Sequence, residues 1–251
     1  MPTKKTDNRL TDKNTVRTHD SFYAKEALDD PPKDAFVQIA DLINDFKLSL
    51  KGEISISDLG CAAGTFPGYL KTRFKSDNIT GYDLLEDLLD VAKINYPDVQ
   101  FIQASVLDQD SLEEDSCDVL TTLGVLQIFD DPEPYIKNLI KWTKPNGRIF
   151  IHGLFNPYEV DVYLRYNESE NYLDKNIETG WNVISQKTIS NILKKNKVRD
   201  FTFHDFNISV DLEKRPKDNL RSWTEKYQNN ERFITNGLCL IQPQYILEIR
   251  P

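Results

Sequence analysis

Ile54-Ser55-Ile56-Ser57-Asp58-Leu59-Gly60-Cys61-Ala62-Ala63-Gly64 alternates apolar and polar side chains as far as Ser57, continues through Asp58 and Leu59, and then breaks into a run of small residues. A period of two predicts a short strand, and Gly60 ends it where a backbone can turn sharply or come close to a ligand. A turn of this kind, leading from strand to helix, fits a nucleotide-like cofactor. An NAD-type G-x-G-x-x-G counted from Gly60 would need glycines where Ala62 and Thr65 stand, and the Gly-Lys-Ser/Thr end of a P-loop is absent. The plainer alternative is an ordinary tight strand-to-helix turn.

Outward from this turn, strands and helices alternate. Upstream, Phe36, Ile39, Ala40, Ile43 and Phe46 recur at helical spacing between Asp34 and Leu50, behind Pro31-Pro32. Downstream the pattern predicts a helix over Pro67–Phe74, a strand over Ile79–Asp83, a helix over Leu85–Tyr96, and strands over Val99–Gln103 and Cys117–Thr122. A helix over Glu133–Thr143 is closed by Lys144-Pro145-Asn146-Gly147, and Arg148–His152 is the next strand. Ser185 caps a helix to about Leu193, and the last strands fall near Phe201–Val210 and Gln244–Ile249. Such alternation implies a largely parallel sheet with helices on both faces. Ligands of these sheets bind beyond the carboxyl ends of the strands.

The residues at those ends carry a family pattern. Asp58-Leu59-Gly60-Cys61-Ala62-Ala63-Gly64 resembles motif I of the class I S-adenosylmethionine (SAM)-dependent methyltransferases, an acid followed by G-x-G-x-G, with Ala62 in place of the middle glycine. Ile79-Thr80-Gly81-Tyr82-Asp83 ends in a carboxylate about 20 residues past the turn, where a ribose-binding acid belongs; the cap of the next helix is its simpler role. Gln103-Ala104-Ser105-Val106 falls where the family often has Gly-Asp beside the adenine. Cys117-Asp118-Val119-Leu120-Thr121-Thr122-Leu123-Gly124-Val125-Leu126-Gln127 resembles the fourth motif, and Lys144–Ile151 the L-K-P-G-G-x-x-x-I run before the fifth strand. The similarity spans residues 50 to 155 in the family's order.

The resemblance implies an α/β, Rossmann-like three-layer sandwich with a seven-stranded sheet of order 3-2-1-4-5-7-6 and an insertion after the fifth strand. It implies SAM as cofactor and S-adenosylhomocysteine as product, held by Asp58, Gly60, Cys61, Ala62, Gly64, Asp83, Leu84, Ser105, Val106 and Leu123. The division expected is an N-terminal arm or lid over 1–32 and a methyltransferase domain over 33–251, with a substrate cap at 154–184. His152 falls at the rim of the fifth strand and is the candidate general base, with a packed or hydrogen-bonded rim histidine as the alternative. Tyr23, Tyr158, Tyr163 and Trp181 are candidate substrate contacts, because aromatic rings offer flat apolar faces with polar tips; anchoring the insertion is their other reading.

A net charge of −9 disfavours a polyanionic partner such as DNA or RNA. The three cysteines, Cys61, Cys117 and Cys239, lie far apart without a CxxC pair, so no metal site is expected, and a reducing cytoplasm fits them. The polar start has no signal-peptide pattern, and no apolar run reaches membrane-spanning length. The function expected is methyl transfer to oxygen or nitrogen of a small-molecule acceptor. Arg221-Ser222-Trp223-Thr224 and Asn236–Pro243 resemble methyltransferases found with bacterial surface-sugar biosynthesis enzymes, which points to a sugar or nucleotide sugar. A nucleic acid or protein methyltransferase, and a non-catalytic module of the same fold, are the alternatives.

Overall fold

The alternating stretch forms β1 (Ser55–Leu59), which lies inside a sheet between two parallel neighbours, β2 (Asn78–Asp83) and β4 (Cys117–Leu123). The structure, a computed structural model, describes residues 23–24, 32–167, 169, 177–215, 218, 220–226 and 231–251. With β3 (Gln100–Gln103), β5 (Thr143–Asn156), β9 (Asp200–Asp205) and β12 (Gln244–Arg250), the strand order is β3-β2-β1-β4-β5-β12-β9. Taking β9 and β12 as the sixth and seventh long strands, this is 3-2-1-4-5-7-6, with β12 antiparallel to both its neighbours.

Alternation along the strands divides the core in two. Ile56, Val119, Phe150 and Ile246 face one side and pack under α1 (Asp34–Leu48), α2 (Thr65–Arg73) and α3 (Glu86–Asn95). Leu59, Leu120, Ile149, Ile151 and Leu247 face the other and pack under α4 (Glu133–Trp142) and α5 (Gln186–Lys195). No helix among the described residues is long and apolar enough to cross a membrane.

Two details depart from the expected boundaries. Lys144-Pro145-Asn146-Gly147 lies within β5 rather than closing α4, because pairing with β4 begins at Cys117↔Thr143 and jumps to Val119↔Arg148, leaving these residues as an excursion in the ladder. The polar, Arg- and Lys-containing segment between β9 and β12, where no strand is expected, contains a hairpin of β10 (Trp223–Lys226) and β11 (Arg232–Thr235).

The segment after β5 carries two short pairings, β6 (Arg165–Tyr166) with β7 (Glu178–Thr179), and β8 (Ile184–Ser185) with the end of β5. It is fastened to the loop after β4 by Asn182, which is fully buried. The Asn182 amide donates to Phe129 O and Asp130 Oδ1, each at 3.1 Å, and its backbone N–H donates to Gln127 O at 2.8 Å. Arg165 Nη2 adds two bonds to the Asp130 carboxylate, at 2.7 and 2.5 Å.

Ser185 caps α5 through its hydroxyl, which accepts the Thr188 N–H at 3.1 Å, while Asp161 accepts the Ser185 N–H and the Thr188 hydroxyl. Ser185→Ala should therefore destabilise the fold by about 1 kcal/mol, read as a lower denaturation midpoint at unchanged slope.

Candidate active site

The turn after β1 is held from the neighbouring strand. Tyr82 O, near the end of β2, accepts the N–H groups of both Gly60 (2.7 Å) and Cys61 (3.0 Å). Gly60 has φ +73°, and a side chain there would meet Val125 Cγ2 at 2.3 Å, so backbone conformation and close approach both require glycine. Ala62 holds a left-handed φ of +48°, a conformation that suits the glycine found at this place in the motif. Its N–H donates to Asp83 Oδ2 at 2.8 Å, while Asp83 Oδ1 accepts the Leu85 N–H at 2.9 Å. The Asp83 carboxylate thus spans the glycine turn and also bonds the N–H of Leu85, the residue preceding α3, without itself capping that helix.

Asp58 is buried, and the hydroxyl of Thr121, its register partner on β4, donates to it at 2.7 Å. Burial pushes its carboxyl up to about 8, the Thr121 hydrogen bond works against that rise, and the Asp83 charge adds to it. Burial, with both carboxylates nearby, also pushes the Cys61 thiol up, which makes it unreactive. Cys117 is buried as well, whereas Cys239 is exposed.

Beyond β3, the Ser105 hydroxyl accepts the Leu107 N–H at 3.3 Å, and its carbonyl accepts the Ser111 hydroxyl at 2.8 Å. Val106 packs against the core, and the Leu84 carbonyl accepts the Gln103 amide at 3.0 Å. At the end of β4, Leu123 pairs with His152, and the Gly124 N–H donates to His152 O at 2.9 Å. Gly124 has φ +73° and nothing beyond its chain neighbours within 4 Å of where a Cβ would stand, so the floor beside the end of β4 is open there. Two glycine-type turns, two carboxylates and this open floor fit a cationic nucleoside ligand such as SAM.

His152 Nε2 is buried with no hydrogen-bond partner. Its ring meets Phe206 edge-on at 4.9 Å and lies near the Gln244 side chain. Burial lowers its pKa to about 4, the Gln244 side chain opposes that shift, and the Lys33 charge adds to it, so the ring is neutral at pH 7. Phe206, Gln244 and Lys33 carried no sequence signal as site residues. The same holds for Gln127, whose buried side-chain amide has no partner on either atom and lies where a side chain on Gly153 would stand.

Of the aromatic candidates, Tyr158 and Tyr163 stand exposed, Trp181 is half-buried, and the half-buried Tyr23 ring lies 5.2 Å from the Arg221 guanidinium. His204 sits in β9 with Nε2 at 3.0 Å from Glu248 Oε2, a structural pair. His19, Phe22 and Tyr172, and most of the expected arm over 1–32, lie outside the described residues.

The raised carboxyl of Asp58 has a stability consequence. The folded chain holds this proton more tightly than the unfolded chain, whose Asp titrates near 3.8, so Asp58 costs stability progressively as pH rises from about 4 to about 8. Asp58→Asn should therefore melt above the parent at pH 8, with the gap closing toward pH 4; an equal gap at both pH values would contradict this.

Residues 57–151 match the family described as a methyltransferase domain. The chain is 26% identical over 166 residues to malonyl-[acyl-carrier protein] O-methyltransferase of Halalkalibacterium halodurans, across 63% of this chain and 60% of that protein. It is 30% identical over 109 residues to the ubiquinone biosynthesis O-methyltransferase of Hydrogenovibrio crunogenus, across 42% of this chain and 44% of that protein. The chain therefore spans less than two thirds of the length of either relative. In structure it is similar to YcgJ of Bacillus subtilis, with a TM-score of 0.54 at 12% identity over 85% of this chain and 98% of that one. Sheet order and these likenesses agree on an α/β, Rossmann-like methyltransferase fold, in which residues 57–151 are the part that matches a methyltransferase domain.

Proposed function

We propose that this chain is a SAM-dependent methyltransferase acting on a small molecule, at an oxygen. The observation that carries the reading is the Asp83 carboxylate, bonded to the Ala62 N–H across the glycine turn and placed at a strand end beside Asp58. Asp83 would accept the ribose hydroxyls, and Leu84, Ser105 and Val106 would bound the adenine. Gly60, Cys61, Ala62 and Gly64 would let the backbone approach the ligand, and Leu123 would face its methionine end. Asp83 supplies the negative field that a cationic ligand favours, and a cation bound nearby would draw Asp58, which otherwise holds its proton at neutral pH, toward its ionised form. When bound, SAM contributes a methyl group made electrophilic by its sulfonium.

The chain's own part in the chemistry is to orient the acceptor and hold a proton. Orientation alone supplies a large share of the rate in such transfers. His152, neutral and with an unpartnered Nε2, would take the acceptor's proton. The similarity of both curated relatives to this chain favours oxygen over nitrogen, since both carry the name O-methyltransferase. The resemblance of Arg221–Thr224 and Asn236–Pro243 supports a sugar or nucleotide sugar as acceptor. The contact of Tyr23 with Arg221 supports a role for Tyr23 beside the late segment of the chain. The net charge of −9 keeps nucleic acid a disfavoured partner, and three free cysteines fit a reducing cytoplasm.

Titration calorimetry with S-adenosylhomocysteine tests the cofactor site. Micromolar binding is expected, weakened at least tenfold in Asp83→Asn, which still offers an oxygen to one of the two backbone N–H groups. Asp83→Ala would strand both and confound binding with unfolding. Binding unchanged in Asp83→Asn would reject the ribose role.

His152→Ala should lower turnover by roughly 10²-fold, the lower end for a general base because the ring is weakly basic. S-adenosylhomocysteine affinity should stay the same. The parent's kcat/KM should show no His-type acid limb between pH 6 and 8, since His152 is already deprotonated there; a limb near 6.5 would assign the base elsewhere.

A further inference from the structure

At the far side of the sheet, a cavity of about 580 Å³ opens between the mouths of β9 and β12 and the β10–β11 hairpin. Its wall is continuous with His152. Phe206 lines the cavity and meets the His152 ring at 4.9 Å. Gln244 also lines it and lies near the same ring. His152 sits on β5, paired with Leu123 on β4 and with Ile246 on β12. The near wall therefore lies about two strand spacings, roughly 10 Å, from the end of β4. His152 Nε2, desolvated and unpartnered, is a group that calls for an explanation and stands between the two regions.

The lining selects among acceptors. Phe206, Phe233 and Tyr245 present aromatic surface, and Asn207 and Gln244 present amides. Arg232 is the one basic residue of this lining among the described residues, and its Nε already donates to Asp211 at 2.6 Å. Asp205 and Glu231 leave the lining with one more carboxylate than guanidinium. A diphosphate would therefore gain little here and meet repulsion. A neutral polyol is matched: its C–H faces lie on aromatic rings, and its hydroxyls both donate to carboxylates and exchange hydrogen bonds with amides.

We infer that this cavity is the recognition pocket for the acceptor and takes a neutral saccharide ring about 10 Å from the methylated position. The acceptor is then a glycoside or oligosaccharide of more than one ring, and not a nucleotide sugar. This rests on the methyl-transfer reading above for the word acceptor, but the pocket's chemistry can be tested without the cofactor.

Saturation-transfer NMR on the full chain, without SAM, with millimolar maltose, cellobiose, lactose and UDP-glucose is the test. Saturation should reach ring protons of at least one neutral disaccharide and fall several-fold in Phe233→Ala and in the exposed Asn207→Ala, each first shown to melt cooperatively. No transfer to any of the three neutral sugars, transfer unchanged in both variants, or stronger binding of UDP-glucose would overturn the assignment. Calorimetry with S-adenosylhomocysteine separates the two readings. If the nucleoside binds and the sugars do not, the pocket assignment alone falls. If the sugars bind and the nucleoside does not, the cavity is a saccharide site without a methyl donor, and its acceptor role falls.

Discussion

Two hydrogen bonds to one carboxylate hold the site together. Asp83, at the end of β2, accepts from Ala62 across the glycine turn and from Leu85 at the start of α3. Ala62 pays for its left-handed backbone with about 1–2 kcal/mol. A hydrogen bond to a charged acceptor contributes about 1.5–3 kcal/mol, enough to hold that conformation. The turn's shape is thus a property of two adjacent strands in register, Leu59 opposite Tyr82, and not of the turn sequence alone.

The second constraint is electrostatic. Asp58 lies near enough to Asp83 to feel its charge, and its strongest stabilising contact is a neutral hydroxyl from Thr121. A buried carboxylate without a cation is costly. The cost is set by the backbone, because Asp58 stands on the central strand and cannot reach solvent without breaking register with β4. A site of this kind favours ligands that bring their own positive charge, and it does so before any acceptor is present.

The half of the chain that builds the glycine turn and its carboxylates was legible because its signals are local. Alternation before Gly60, helical spacing in Asp34–Leu50 and carboxylates near the ends of two strands each depend on a few neighbouring residues. The part after β4 was less so. The β10–β11 hairpin reads as polar connection, since its strands have four residues each and outward-facing charges. Asn182 is one amide in an aromatic and acidic stretch, and its importance comes from complete burial against Phe129 and Asp130, 52 or more residues away. His152 was visible as a rim residue, but its neutrality comes from burial beside Phe206 and from the Lys33 charge, against the opposing pull of Gln244, and only the folded chain brings these groups to it.

The distribution of thiols has a practical consequence. Cys61 and Cys117 are shielded, and Cys239 is exposed on the turn between β11 and β12, two residues before Ile241 at the edge of the cavity. The unaltered chain therefore offers a maleimide dye one attachment point, close to the pocket mouth. A fluorophore placed there would sense the local environment of that mouth without any engineered cysteine.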